Sequence, residues 1–198
     1  MAGRRAVVLV TAVLLAACAT TALRDQWVDA SYRGGPFRKL LVLGVSSHVS
    51  ERRTFEDLMV ARLVAAGVDA IPAYRLLPSA EKVPEAALDD AVRASGADGL
   101  LMSRVVGLDR RVSATTSLAP AHGLGWYGLY TRWYPVTEVR EYEVASVETS
   151  LFAPDGKRVV WSGMTETYEP TSVARDGPAF ARVIVGALQH RGLLPASK

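Results

Sequence analysis

The sequence predicts an α/β sandwich with a mixed sheet, its elements in the order β-α-β-α-β-β-β-α. Three features point there. Residues 37–46, FRKLLVLGVS, form the near-continuous apolar run of a strand covered on both faces. Two helix exits follow one pattern, Ala65-Ala66-Gly67-Val68-Asp69-Ala70-Ile71 and Ala94-Ser95-Gly96-Ala97-Asp98-Gly99-Leu100, as repeated βα units do. Two long alternating stretches meet at Asp155-Gly156, a strong hairpin signal.

The elements follow in order. After the first strand, residues 54–66 place Phe55, Leu58, Met59 and Leu63 on one helical face, and Thr54 with Asp57 offers a capping box. Gly67 stops that helix. VDAIPAY then reads as a short strand, which Pro72 restricts to an edge role. A second helix opens at Pro84 and closes at Gly96, with Leu88, Ala91, Val92 and Ser95 on one side. The strand GLLMSRVVGL follows. The hairpin strands are EVREYEVASVETSLFAP and KRVVWSGMTETYE, and a change of phase near Ala145-Ser146 suggests a bulge or two half-covered faces. A last helix from about Asp176 aligns Phe180, Val183, Ile184, Ala187 and Leu188, with Gly192 as its cap.

The first eighteen residues are MAGRRAVVLVTAVLLAAC. Arg4 and Arg5 precede twelve uncharged apolar positions, the proportions of a secretory leader. The segment Leu15-Ala16-Ala17-Cys18 resembles the lipobox of bacterial lipoproteins. That resemblance implies cleavage before Cys18, a covalent lipid on the Cys18 thiol and acylation of its new amino group. Ala19 in place of Asp implies sorting to the outer membrane. Two rivals stand beside it: cleavage after Ala19 to a soluble periplasmic protein, or an inner-membrane anchor over the uncharged residues 6–23. The expected organisation is a signal peptide at 1–17, a lipidated tether at 18–36, one periplasmic domain at 37–194 and a tail at 195–198. Trp27 and Tyr32 are expected to dock the tether. Cys18 is the only cysteine, so the domain has no disulfide and no thiol for catalysis or metal binding.

Charge narrows the classes further. Of 23 basic side chains two lie in the leader, leaving near balance with 20 acidic ones, which gives nucleic-acid binding no electrostatic basis. With its lipobox, strand order and DGK-to-VVWSG hairpin, the chain resembles small Gram-negative envelope lipoproteins of unassigned function. Their fold is similar to that of lipoprotein activators of penicillin-binding proteins, the curli secretion lipoprotein and the amino-terminal domain of the Tol periplasmic protein.

Residues 121–135, AHGLGWYGLYTRWYP, hold the most distinctive candidate site. Gly123, Gly125 and Gly128 spell G-x-G-x-x-G, but Pro135 follows too soon for the helix that a dinucleotide-binding loop needs. No dinucleotide is expected. The rings either fold back as a lid on the core or project as a contact surface. Trp126, Tyr127, Tyr130, Arg132, Trp133 and Tyr134 are the partner-binding candidates, being residue types enriched at binding hot spots. A pore-lining hairpin would show alternate apolar residues over about ten positions, and LYTRWYPVTE shows this poorly.

Other chemistry is sparse. Ser46, Ser47, His48, Arg52 and Arg53 stand at the carboxyl end of the first strand, where open α/β sheets bind ligands, and form a weak anion-site candidate. Capping a helix and facing water is the favoured explanation of them. Glu85, Asp89 and Asp90 sit in the early turns of a helix, where the dipole favours them. His48, His122 and His190 lack metal-ligand spacing, and no G-x-S-x-G occurs. The sequence thus predicts a non-catalytic envelope module without metal or cofactor, binding an envelope protein or its own copies. The alternatives are an envelope hydrolase with dispersed catalytic residues and a ring-forming secretion component.

Overall fold

The computed structural model describes residues 21–77, 83–120, 133–154 and 157–196. Six strands form one mixed sheet: β1 (Thr21–Val28), β2 (Lys39–Val45), β3 (Asp69–Pro72), β4 (Gly99–Pro120), β5 (Trp133–Ala153) and β6 (Arg158–Tyr168). The helices are α1 (Val49–Ala65), α2 (Glu85–Ser95) and α3 (Val173–His190). The strand order is β1-β6-β5-β4-β2-β3, parallel where β2 meets β3 and β4 and antiparallel elsewhere. This is the expected α/β fold with a mixed sheet, with one further strand at its start.

The apolar run of residues 37–46 is explained by its two neighbours. Leu40 and Val42 join Met59, Leu63, Leu101, Leu151, Trp161 and Ile184 beneath α1 and α3, while Leu41 and Leu43 join Ala73, Ala91 and Leu100 beneath α2. Both layers are therefore built from one alternating strand. The two βα exits use Gly67 at φ +80° and Gly96 at φ +61°, a conformation that disfavours side chains. Asp98 closes the second corner by accepting the Arg38 and Lys39 amides at 2.8 and 3.0 Å. Pro72 ends the short edge strand β3, as its missing amide requires.

Four expectations need correction. Residues 21–28 are an edge strand paired with β6 from Thr21↔Thr167 to Val28↔Trp161, and not part of a tether. Its polar positions hid it, since only Leu23 and Val28 of this strand pack on the main core. Tyr32 does dock, stacking on Phe37 at 5.6 Å, whereas Trp27 is 54% exposed. The first long helix begins at Val49, five residues before Thr54, and the Thr54 hydroxyl donates to the Ser50 carbonyl instead of capping. The slip near Ala145-Ser146 lies on the facing strand, between Val105 and Gly107 of β4, while β5 runs through regularly at that point.

Candidate interaction surface

β4 is 22 residues long and β5 is 21, and they stay in antiparallel register from Leu100↔Phe152 to Pro120↔Trp133. Their neighbours stop early. β2 last pairs at Val45↔Arg104, and β6 last pairs at Tyr168↔Val144. Beyond those points the two strands form a projecting arm whose outer edges pair with no other described strand.

Opposite residues of an antiparallel pair share a face, and successive residues alternate. On one face of the arm this register places Leu108, Arg110, Val112, Ala114, Thr116 and Leu118, with Glu143, Glu141, Val139, Thr137 and Pro135 across from the last five. Leu108, Val112, Leu118 and Val139 are each more than 60% exposed. The other face carries Ser113, Thr115 and Ser117 on β4, with Arg140, Glu138 and Val136 opposite. Exposed apolar side chains thus recur on one face of an arm outside both hydrophobic clusters, interspersed with Arg110, Glu141, Glu143 and the Thr116–Thr137 pair.

Charge gathers at the arm's root. Arg110 meets Glu143 at 3.3 Å, Arg140 meets Glu169 at 2.6 Å, and Arg111 donates to Glu166 at 2.5 Å. Glu166 also accepts from Arg24 of β1 at 2.8 Å, and Arg24 lies over the Tyr168 ring. The Arg111 hydrogen bond, opposed by partial burial and aided by Arg24, holds the Glu166 carboxyl below the ordinary carboxylate range. The same bond raises the Arg111 guanidinium. Val144 of β5, fully buried, lies on the face of the sheet that carries Phe152 and, farther along, α2.

At the root on the opposite side, a cavity of about 190 Å³ opens between the starts of α1 and α3, lined by Phe55, Val105, Ala145, Val147 and Phe180. Of the five anion-site candidates, Ser46 and Arg52 line it and Ser47, His48 and Arg53 do not. Arg52 is 2% exposed and pairs with the fully buried Glu56 at 2.8 Å, while its Nη1 donates to the Leu77 carbonyl at 2.8 Å. Glu56 accepts in addition from the Gly44 and Tyr74 amides at 3.1 and 2.7 Å. This buried pair fastens α1 to the end of β2 and to the turn after β3. Arg53 lies over the Tyr74 ring, Ser46 accepts from the His48 amide, and Ser47 and Glu51 flank the His48 ring. Arg52 is thus held by Glu56 and Leu77, while its buried Nη2 has no hydrogen-bond partner among the described residues.

The carboxylates of α2 are likewise structural. Glu85 and Asp89 both accept from Lys157, whose ammonium they raise above its usual value, and Asp90 pairs with Arg93. No cluster of metal-ligating side chains occurs among the described residues. Of the partner-binding candidates, Trp126, Tyr127, Tyr130 and Arg132 lie outside the described residues, in the segment joining β4 to β5. Trp133 and Tyr134 open β5, so part of the expected aromatic loop is strand. Sequence reading missed Leu108, Val112, Leu118 and Val139. Their signal was present in the alternation of VSATTSL, residues 112–118, but only the pairing with β5 assigns it a face.

No protein-family model matches the sequence, and no characterised protein is similar to it in sequence at a significant level. Among solved structures, a PelC dodecamer from Paraburkholderia phytofirmans is 16% identical, with a TM-score of 0.48 over 89% of this chain and 99% of that one. Lipoprotein GNA1162 from Neisseria meningitidis is 15% identical, with a TM-score of 0.39 over 77% of this chain and 99% of that one. Likeness at this level transfers no activity and no partner.

Proposed function

We propose that this chain is a lipid-anchored, non-catalytic interaction module of the bacterial cell envelope, with the β4–β5 arm as its contact element. The observation that supports this most is the arm itself, which leaves both hydrophobic clusters and exposes Leu108, Val112, Leu118 and Val139 on one face. Burying such residues against a partner would gain about 25 cal/mol per Å² of apolar surface. Cys18 carries the lipid in this account, and Ala19 favours the outer membrane with the domain facing the periplasm. The candidates from Trp126 to Tyr134 extend the same contact element. No cofactor other than the covalent lipid is required.

A photo-crosslinking residue placed at Leu118, Val139 or Trp126 in the native envelope tests this, with exposed Arg182 of α3 as control. Discrete adducts at the arm positions alone are expected. Equal yields at Arg182 and the arm, or none anywhere in folded and lipidated protein, would refute the arm as the contact element.

A further inference from the structure

The cavity between the starts of α1 and α3 lies beside the first residues of β1. Its walls are the rings of Phe55 and Phe180 and the side chains of Val105, Ala145 and Val147. Polar side chains along it are engaged within the chain. Thr167 shares a hydrogen bond with Thr21 at 2.9 Å, Ser103 shares one with Thr149 at 2.9 Å, and Asp176 accepts the Thr171 and Ser172 amides at 2.7 and 3.1 Å. Arg104 pairs with Glu148 at 2.7 Å. Arg52 is charge-balanced by Glu56, and its unpartnered Nη2 is buried. Such walls favour an uncharged, apolar occupant. An apolar cavity of about 150 Å³ accepts benzene, so the 190 Å³ here takes about six or seven carbons.

The anchoring cysteine lies within reach of this cavity. Thr21 pairs with Thr167 across β1 and β6, and Thr167 lines the cavity. β1 runs antiparallel to β6, so the chain enters β1 at the end of the sheet where β6 gives way to α3. Cys18 precedes Thr21 by three residues, at most about 11 Å of extended chain. An acyl chain adds roughly 15 Å, half of a hydrocarbon core about 30 Å thick. Only one strand spacing, about 4.8 Å, separates β1 from β6. An acyl chain on Cys18 can therefore reach between Phe55 and Phe180.

We propose that one acyl chain of the Cys18 lipid seats its end in this cavity. This rests on the lipid-anchored reading above and gives the lipid a second site, within the domain itself. The lipobox resemblance implies a diacylglycerol on the Cys18 thiol and a further chain on its amino group. One chain gives only marginal membrane binding, whereas two anchor a protein stably. Two chains in the bilayer thus suffice for anchoring, and the third closes the cavity. The seated chain fixes that end of the domain, with the starts of α1 and α3, next to the membrane.

Cells supplied with a fatty acid bearing a terminal diazirine provide the test on the full-length protein in its native envelope. After irradiation the protein is purified and digested, and its cross-linked peptides are weighed. The expected product joins an acyl chain on the Cys18 peptide to peptides containing Val147 or Phe180. Ala145→Phe and Val105→Phe narrow the cavity and are expected to lose that product while melting at the parent's temperature. Retention of the product in both folded variants overturns the proposal. Acylated Cys18 cross-linked to phospholipid alone also overturns it and leaves the lipid-anchored reading standing. Cavity peptides joined to a phospholipid or a free fatty acid, with none joined to Cys18, overturn it as well, because the occupant then comes from the membrane. A Cys18 peptide without acyl chains removes the anchored reading itself, and this proposal with it.

Discussion

Replacing Glu56 by Ala tests whether the buried Arg52–Glu56 pair ties the first helix to the sheet. The substitution removes the acceptor for Arg52 Nε at 2.8 Å and for the Gly44 and Tyr74 amides. Arg52 is left as a buried cation, since its side chain is 2% exposed and its Nη2 already lacks a hydrogen-bond partner among the described residues. Breaking one side of such a pair costs about 3–5 kcal/mol. For a domain of this size that lowers the melting temperature by roughly 6–20 °C, at about 2–4 °C per kcal/mol. Urea unfolding of the parent, Glu56→Ala, Arg52→Ala and the double variant gives the four free energies of a cycle. The double variant should cost little more than Glu56→Ala alone, because removing Arg52 also removes the stranded charge. Additive losses, or a loss below about 1 kcal/mol for Glu56→Ala, would refute a buried, coupled pair.

The remaining predictions concern the sheet and the arm. At Gly163 an added Cβ would stand 2.3 Å from the ring of the fully buried Trp161, so Gly163→Ala should destabilise by about 1–3 kcal/mol in the same unfolding assay. Glu166 is held below its ordinary value of 4.5 by Arg111. Its contribution is therefore complete above that value and fades as pH falls through the lower folded one. The stability difference between the parent and Glu166→Gln should be constant near neutrality and shrink on acidification below about pH 4.5. Replacing residues 113–140 with Asn-Gly should change domain stability by no more than about 1 kcal/mol, since the described residues of that segment contribute nothing to either hydrophobic cluster.

The elements legible in the sequence were those whose pattern is local. Leu40 to Leu43 read as a doubly covered strand because α2 and α3 cover opposite faces of it, and Gly67 and Gly96 marked the helix exits because their positive φ has few other tenants. β1 was hidden because an edge strand needs burial on one face only, and Arg24, Asp25 and Gln26 serve hydrogen bonds at its surface. Arg52 read as solvent-facing because a buried arginine is explained only by Glu56 and Leu77, which register and packing bring to it. The arm was obscured because the window LYTRWYPVTE, residues 129–138, straddles the connection between its strands. The alternation lies instead in residues 112–118 and in their partners across the pair, and a single strand does not reveal which face its neighbour shares.

The central claim is that the arm, and not the helical faces of the domain, makes the chain's contacts at the anchoring membrane. The most direct measurement is the mass of the lipidated protein released in mild detergent, made with the full arm and with residues 113–140 replaced by Asn-Gly. The account predicts a species well above one copy for the full arm and a single folded copy for the trimmed chain. An identical mass for both would place the contacts elsewhere and contradict it.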